Sequence, residues 1–166
     1  AVLAIIVLAL FLKDIRPTII VAFSIPFSVL FAIIIMYFTG ININVMSLAG
    51  LCLGIGMLVD NSIVVMENVY RFSNEGMSAP KAAVRGTAQV AGPILASTLT
   101  TICVFLPMVY TSGMVSQLLI PFAFTISYAL IASLLVALTV VPTMGSVILR
   151  KAKEIKQPWF EKIKDI

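Results

Sequence analysis

Four stretches of this sequence, at about 17–38, 45–70, 88–111 and 117–149, are apolar for long enough to cross a lipid bilayer. A fifth, at about 1–12, is apolar but shorter. Roughly 20 residues rising 1.5 Å each span the hydrocarbon core. Lipid offers backbone N–H and C=O groups no partner, so each stretch must satisfy them internally, as a helix does. No alternating pattern of the kind that marks a membrane barrel is present. Composition agrees: 61% of residues are hydrophobic and 11% charged, with a mean hydropathy of +1.14, whereas soluble domains carry about a quarter charged residues. The expected fold is all-α, a polytopic transmembrane helix bundle of five segments over residues 1–150, with the lipid bilayer as its solvent. The run at 117–149 is long enough to tilt or to project beyond the bilayer. The first run reads as a helix cut by the chain boundary. It does not read as a signal peptide, because its basic flank follows it and no cleavage site is present.

The connections sort by charge. Lys13 and Arg16 lie in the first, Arg71, Lys81 and Arg85 in or beside the third, and Arg150, Lys151, Lys153, Lys156, Lys162 and Lys164 in the tail. The second, Thr39 to Asn44, and the fourth, around Thr111-Ser112-Gly113, carry no charge. Five crossings place all eleven basic residues on one side, which the positive-inside rule assigns to the cytoplasm. The expectation is a multi-pass protein of the cell (inner) membrane that starts outside and ends inside. The tail, 151–166, holds Pro158-Trp159-Phe160 among lysines. It reads either as an amphipathic stretch on the anionic inner leaflet or as a solvated stop-transfer tail. The net charge of +4 thus reports topology and implies no nucleic-acid partner.

Several chemistries are excluded. Without histidine there is no HExxH zinc site, no Ser-His hydrolase and no histidine-ligated haem. Cys52 and Cys103 lie inside apolar segments and read as small packing residues. The methionines are scattered and form no metal relay. Neither a metal nor a cofactor is expected.

Six of the seven acidic residues lie in connections, in the tail or near segment ends; Asp60 sits well inside an apolar run. An aspartate at a membrane-helix centre costs about 2.5–3.5 kcal/mol on insertion scales, and intramembrane carboxylates mark ion or proton paths by default. At 100° per residue, Leu48, Leu51, Ile55, Val59, Ile63, Met66 and Val69 form an apolar stripe, expected to face lipid. Ser47, Ala49, Gly50, Gly54, Gly56, Asp60, Asn61, Glu67 and Asn68 gather opposite, expected to face protein. Gly50 and Gly54 make a GxxxG step that admits a neighbouring helix, and Gly56 extends the same small-residue surface. Asn61 and Asn68 can hydrogen-bond between helices, and Glu67 lies close enough to the cytoplasmic end to snorkel. On the next segment Thr98 and Thr101, with Ser97 and Thr100, either reach across to the Asp60 face or bond their own preceding carbonyls. Asp60 is read as a proton-coupling site; the alternative is a permanent structural pair in a non-transporting membrane scaffold or assembly partner. An intramembrane aspartyl protease would need a second catalytic aspartate and its glycine motif, so no enzyme is expected.

The run Gly56-Met57-Leu58-Val59-Asp60-Asn61-Ser62-Ile63-Val64-Val65-Met66-Glu67-Asn68-Val69 closely resembles the fourth transmembrane helix of RND (resistance–nodulation–division) efflux pumps of the hydrophobe/amphiphile exporter branch. Leu10 to Thr18 is similar to that family's link between its second and third helices, Ile43-Asn44 fits the opening of the fourth, and Trp159-Phe160 fits the surface helix after the sixth. The resemblance covers essentially the whole chain and implies helices two to six of a first transmembrane half. It implies a proton/substrate antiporter, trimeric, with twelve helices per protomer and large extracytoplasmic porter domains. The position of Asp60 is where that family carries its coupling proton, opposite a lysine of the second half. One departure stands out. Many members have two consecutive aspartates where this chain has Asp60 then Asn61, so a single titrating carboxylate is implied here.

Overall fold

The computed structural model describes the backbone of residues 15–164 and the side chains of 17–150 apart from Leu58. The apolar run at 1–12 and the side chains of the tail, Pro158-Trp159-Phe160 included, lie outside the described residues. Four α-helices follow one another: α1 (Ile15–Thr39), α2 (Val45–Asn74), α3 (Ala79–Phe105) and α4 (Ser116–Lys164), with a 3₁₀ turn at Leu106–Tyr110. All four are long and apolar enough to cross a membrane, and the described residues contain no strand.

The turns follow from their residues. Gly40 closes α1 at φ +72°, where only glycine is unstrained. Its N–H donates to Tyr37 O, and Ile41 N–H donates to Met36 O at 3.1 Å. This is the paired closure of a Schellman motif. Asn44 then caps α2. Its Oδ1 accepts from Ser47 N–H at 2.8 Å, while Ser47 Oγ accepts from Asn44 N–H at 2.7 Å, a reciprocal box that satisfies two orphan donors. Gly76, at φ +98°, repeats the closure after α2 through Gly76 N–H to Ser73 O and Met77 N–H to Phe72 O. Helix α2 therefore runs to Asn74, one turn past the apolar stretch.

Helix α3 begins at Ala79, well before the apolar run at 88–111. Hydropathy marks the stretch by where charge stops, but the first turns of α3 are rich in alanine, and Pro80 stands in the first turn where no N–H bond is lost. They bury Ala79, Ala82, Ala83 and Gly86 while Lys81 and Arg85 stay exposed. The α-helix ends at Phe105 because Pro107 has no N–H to give and crowds the carbonyl one turn back; a 3₁₀ turn replaces it.

Helices α2 and α4 share the largest interface, and α1 and α3 each pack against both of them. The interior mixes large apolar side chains such as Ile20, Met66 and Ile126 with many small residues: Ala32, Ala123, Ala129, Ala132, Ala137, Ser24, Ser28 and Ser133 are all buried. Large side chains such as Phe23, Phe27 and Leu30 point outward. In lipid, close backbone approach through small residues drives association. A Cβ on Gly54 would stand 2.6 Å from Ala129 Cβ, and one on Gly50 would stand 2.9 Å from Phe122 O.

Apart from Leu48, which is exposed, the stripe on α2 expected to face lipid does not do so. Val59, Met66 and Val69 are buried in the main core with Ile20 and Val21 of α1 and Val141 of α4, and Leu51 is buried against Ala129 and Ala132. Lipid and protein interior are equally apolar, so hydrophobicity alone does not tell a packing seam from a lipid face. The seam of α2 is its apolar stripe together with Gly50 and Gly54.

Candidate functional site: the open face of α2

The side of α2 left uncovered by α1, α3 and α4 runs through Leu53, Gly56, Asp60, Val64, Glu67 and Arg71, all exposed. These positions recur at helical spacing on one face. Asp60 makes no hydrogen bond or ion pair with any described residue. It sits at the middle of a 30-residue helix, about 22 Å of rise from either end. Glu67 stands about 10 Å further along the same face, one turn before Arg71, which pairs with Glu75 at 3.9 Å. Gly56 lies one turn on the other side of Asp60, and a Cβ there would meet nothing within 4 Å. The small-residue surface thus splits: Gly50 and Gly54 meet α4, and Gly56 leaves space beside the carboxylate.

A second polar row lies about 100° round the helix and faces α3. Asn61, half-buried, donates its Nδ2 to Thr98 Oγ1 at 3.3 Å. Two turns on, buried Asn68 donates to Gly86 O at 2.7 Å and to Gln89 Oε1 at 3.1 Å, and Arg71 Nη2 donates to the same Gln89 oxygen at 3.2 Å. Below Asn68 the helices touch backbone to backbone: a Cβ on Gly86 would stand 2.8 Å from Val69 Cα. The two asparagines are therefore clamps between α2 and α3.

The alternatives for the α3 hydroxyls resolve residue by residue. Thr98, buried, takes the cross-helix bond. Thr101 donates to Ser97 O at 2.9 Å, Thr100 to Ala96 O at 2.8 Å and Ser97 to Ile94 O at 3.0 Å, all within α3. Sequence reasoning passed over two residues. Gly86, between Arg85 and Thr87, could have been found as the one glycine in the helical run before the membrane segment. Ser62 is buried on the side of α2 away from Asp60, with its Oγ unpaired among the described residues; nothing in its spacing sets it apart.

Chemically, the arrangement offers one carboxylate at membrane depth, fixed in orientation by a helix clamped on three sides and open on the fourth. No cluster of metal-ligating side chains occurs among the described residues.

Residues 1–166 match the sequence profile of the AcrB/AcrD/AcrF family. The swarming motility protein SwrC of Bacillus subtilis (strain 168) is 39% identical over 155 residues, covering 92% of this chain and 15% of that protein. The multidrug resistance protein MdtC of Escherichia coli (strain K12) is 40% identical over 155 residues, covering 93% of this chain and 15% of that protein. MdtC of Shigella flexneri is 39% identical over the same length. The chain spans about 15% of the length of these curated relatives. With the profile matched along all its residues and its membrane-length helices in place, the chain belongs to the AcrB/AcrD/AcrF family of RND transporters.

Proposed function

We propose that this chain is part of a proton-motive-force-driven efflux transporter, a secondary active antiporter that exports hydrophobic or amphiphilic compounds, with Asp60 carrying the coupling proton. The observation that carries the reading is the placement of Asp60: alone at the centre of an apolar helix, on the one face its neighbours leave open. A charge there is costly without a partner and favoured beside a cation. A lysine from the second transmembrane half, brought to this face and withdrawn in turn, would make the carboxyl release and take up a proton. Each proton crossing with the membrane potential supplies about 2.3 kcal/mol per 100 mV, added to any pH gradient. The relative MdtC, a multidrug resistance protein by name, supports the export of chemically varied compounds.

On this reading the basic end of the bundle, with Arg71, Lys81, Arg85 and the tail, is cytoplasmic, and the membrane is the inner one. The open face of α2 receives the second transmembrane half, the porter domain lies on the opposite side of the membrane, and the intact protein is a homotrimer. Asn61 and Asn68 hold α3, and neither carries a proton.

The test is gradient-driven efflux by the full-length transporter in proteoliposomes. Asp60→Asn, which keeps size and polarity, is expected to abolish export while the protein still inserts and assembles. Undiminished export by D60N would route the proton elsewhere and favour a permanent structural role for Asp60.

A further inference from the structure

We propose that the basic end of α3 and the groove it opens onto, between α3 and α4, form a binding site for an anionic phospholipid. Lys81 and Arg85 lie one turn apart on the same face of α3, both exposed. Neither makes a hydrogen bond or ion pair with a described residue. The nearest acid in sequence, Glu75, is taken up by Arg71, so neither cation is compensated by a described residue. With Met77, Pro80 and Val84 they line a depression at the membrane boundary.

Pro80 and Val84 also belong to the next cavity, an open groove of about 620 Å³ between α3 and α4. Its walls include Ala83, Ala88, Leu138 and Pro142. Two threonines on the α4 side, Thr139 and Thr143, turn their hydroxyls to their own helix's carbonyls, so they offer the groove methyl groups. Val84, at the junction, is 73% exposed.

Length places this junction. Helix α3 with its 3₁₀ turn covers 32 residues, about 48 Å of rise against a hydrocarbon core of about 30 Å. The first two turns, with Lys81 and Arg85, therefore stand at headgroup level, and the groove descends from them into the acyl region. A basic pair above a mainly apolar channel, with Thr87 and Ser146 among its lining residues, is complementary to a molecule with an anionic head and a hydrocarbon tail. Basic pockets between membrane helices take such headgroups, and each Lys or Arg near the surface contributes about 1 kcal/mol. Zwitterionic lipid lacks the net charge that the pair selects.

The experiment is native mass spectrometry of the full-length transporter titrated with phosphatidylglycerol or phosphatidylethanolamine. Wild type is expected to hold phosphatidylglycerol more tightly. K81Q/R85Q should lower that affinity by up to about 30-fold, the equivalent of roughly 1 kcal/mol per cation, and leave phosphatidylethanolamine binding where it was. A88W, which puts an indole into the groove and keeps both charges, should weaken both lipids. All three altered residues are exposed, and the variants are expected to elute as the wild-type assembly does. Undiminished phosphatidylglycerol affinity in K81Q/R85Q overturns the headgroup assignment. Unchanged binding of both lipids in A88W overturns the groove. Cross-linking of V84C to another protein helix in the full-length assembly would show a protein occupant and overturn the proposal as a whole.

Discussion

Asn61 donates its side-chain amide to Thr98 across the α2–α3 interface, while the carboxylate one residue earlier meets no described partner. Neighbours in sequence are thus divided between two tasks by the 100° turn of the helix: Asn61 holds α3, and Asp60 is left available. A carboxylate in place of Asn61 would have no N–H to give Thr98.

The Asn61–Thr98 bond should be measurable as a coupling energy. Thr98→Val and Asn61→Ala each remove one partner, and interhelical hydrogen bonds in membranes average about 0.6 kcal/mol with a ceiling near 1.7. A double-mutant cycle in unfolding of the full-length protein is expected to return a coupling in that range. Strict additivity of the two changes would deny the bond.

Helix packing at the GxxxG step gives a sharper contrast. Gly54→Ala would press a methyl against Ala129 and is expected to destabilise by about 1–3 kcal/mol, as overpacking does. Gly56→Ala, one turn from Asp60 on the open face, should leave the fold of this segment unchanged. If Ala129→Gly rescues Gly54→Ala in a thermal-stability assay, the contact is the one described.

Replacing Asn68 by leucine removes two donated bonds at once and leaves the Gly86 carbonyl and Gln89 without that partner. A loss of about 1–2 kcal/mol is expected, with the larger share at the basic end of α3. Hydrogen exchange in residues 79–90 checks this; protection equal to wild type would show that Val69 against Gly86 suffices alone.

Val64 shares the open face with Asp60 and is 44% exposed in this chain. In the full-length transporter a spin label at Val64→Cys should lose access to lipid-dissolved oxygen, because the second half covers that face under the proposed function. Access matching that of the isolated segment would show the face to be a lipid face.

Much of this was legible in the sequence. The solitary Asp60, the small residues Gly50 and Gly54 and the glycine-and-asparagine turn before α2 each carry a local physical signature, a charge cost or a backbone requirement, that needs no tertiary context. The direction of the Val59–Met66–Val69 stripe was not legible, because burial in protein and burial in lipid reward the same side chains. The start of α3 was hidden for a related reason: Lys81 and Arg85 break the hydropathy pattern without breaking the helix. Which hydroxyl reaches across was equally hidden, since Thr98 and Thr101, three residues apart, share one face of α3 and only the packing against α2 separates them.

The backbone contact of Gly86 with Val69 limits how force can pass through the bundle. Sliding α3 by one turn along α2 would bring Ala82 or Val90 to the place of Gly86. Either side chain would put its Cβ about 2.8 Å from Val69 Cα, closer than carbon atoms approach. The pair therefore has no second register one turn away, unlike interfaces that ratchet by 5.4 Å. Under the proposed function, a displacement begun at Asp60 would therefore move α2 and α3 together, as one lever, and not ratchet one along the other.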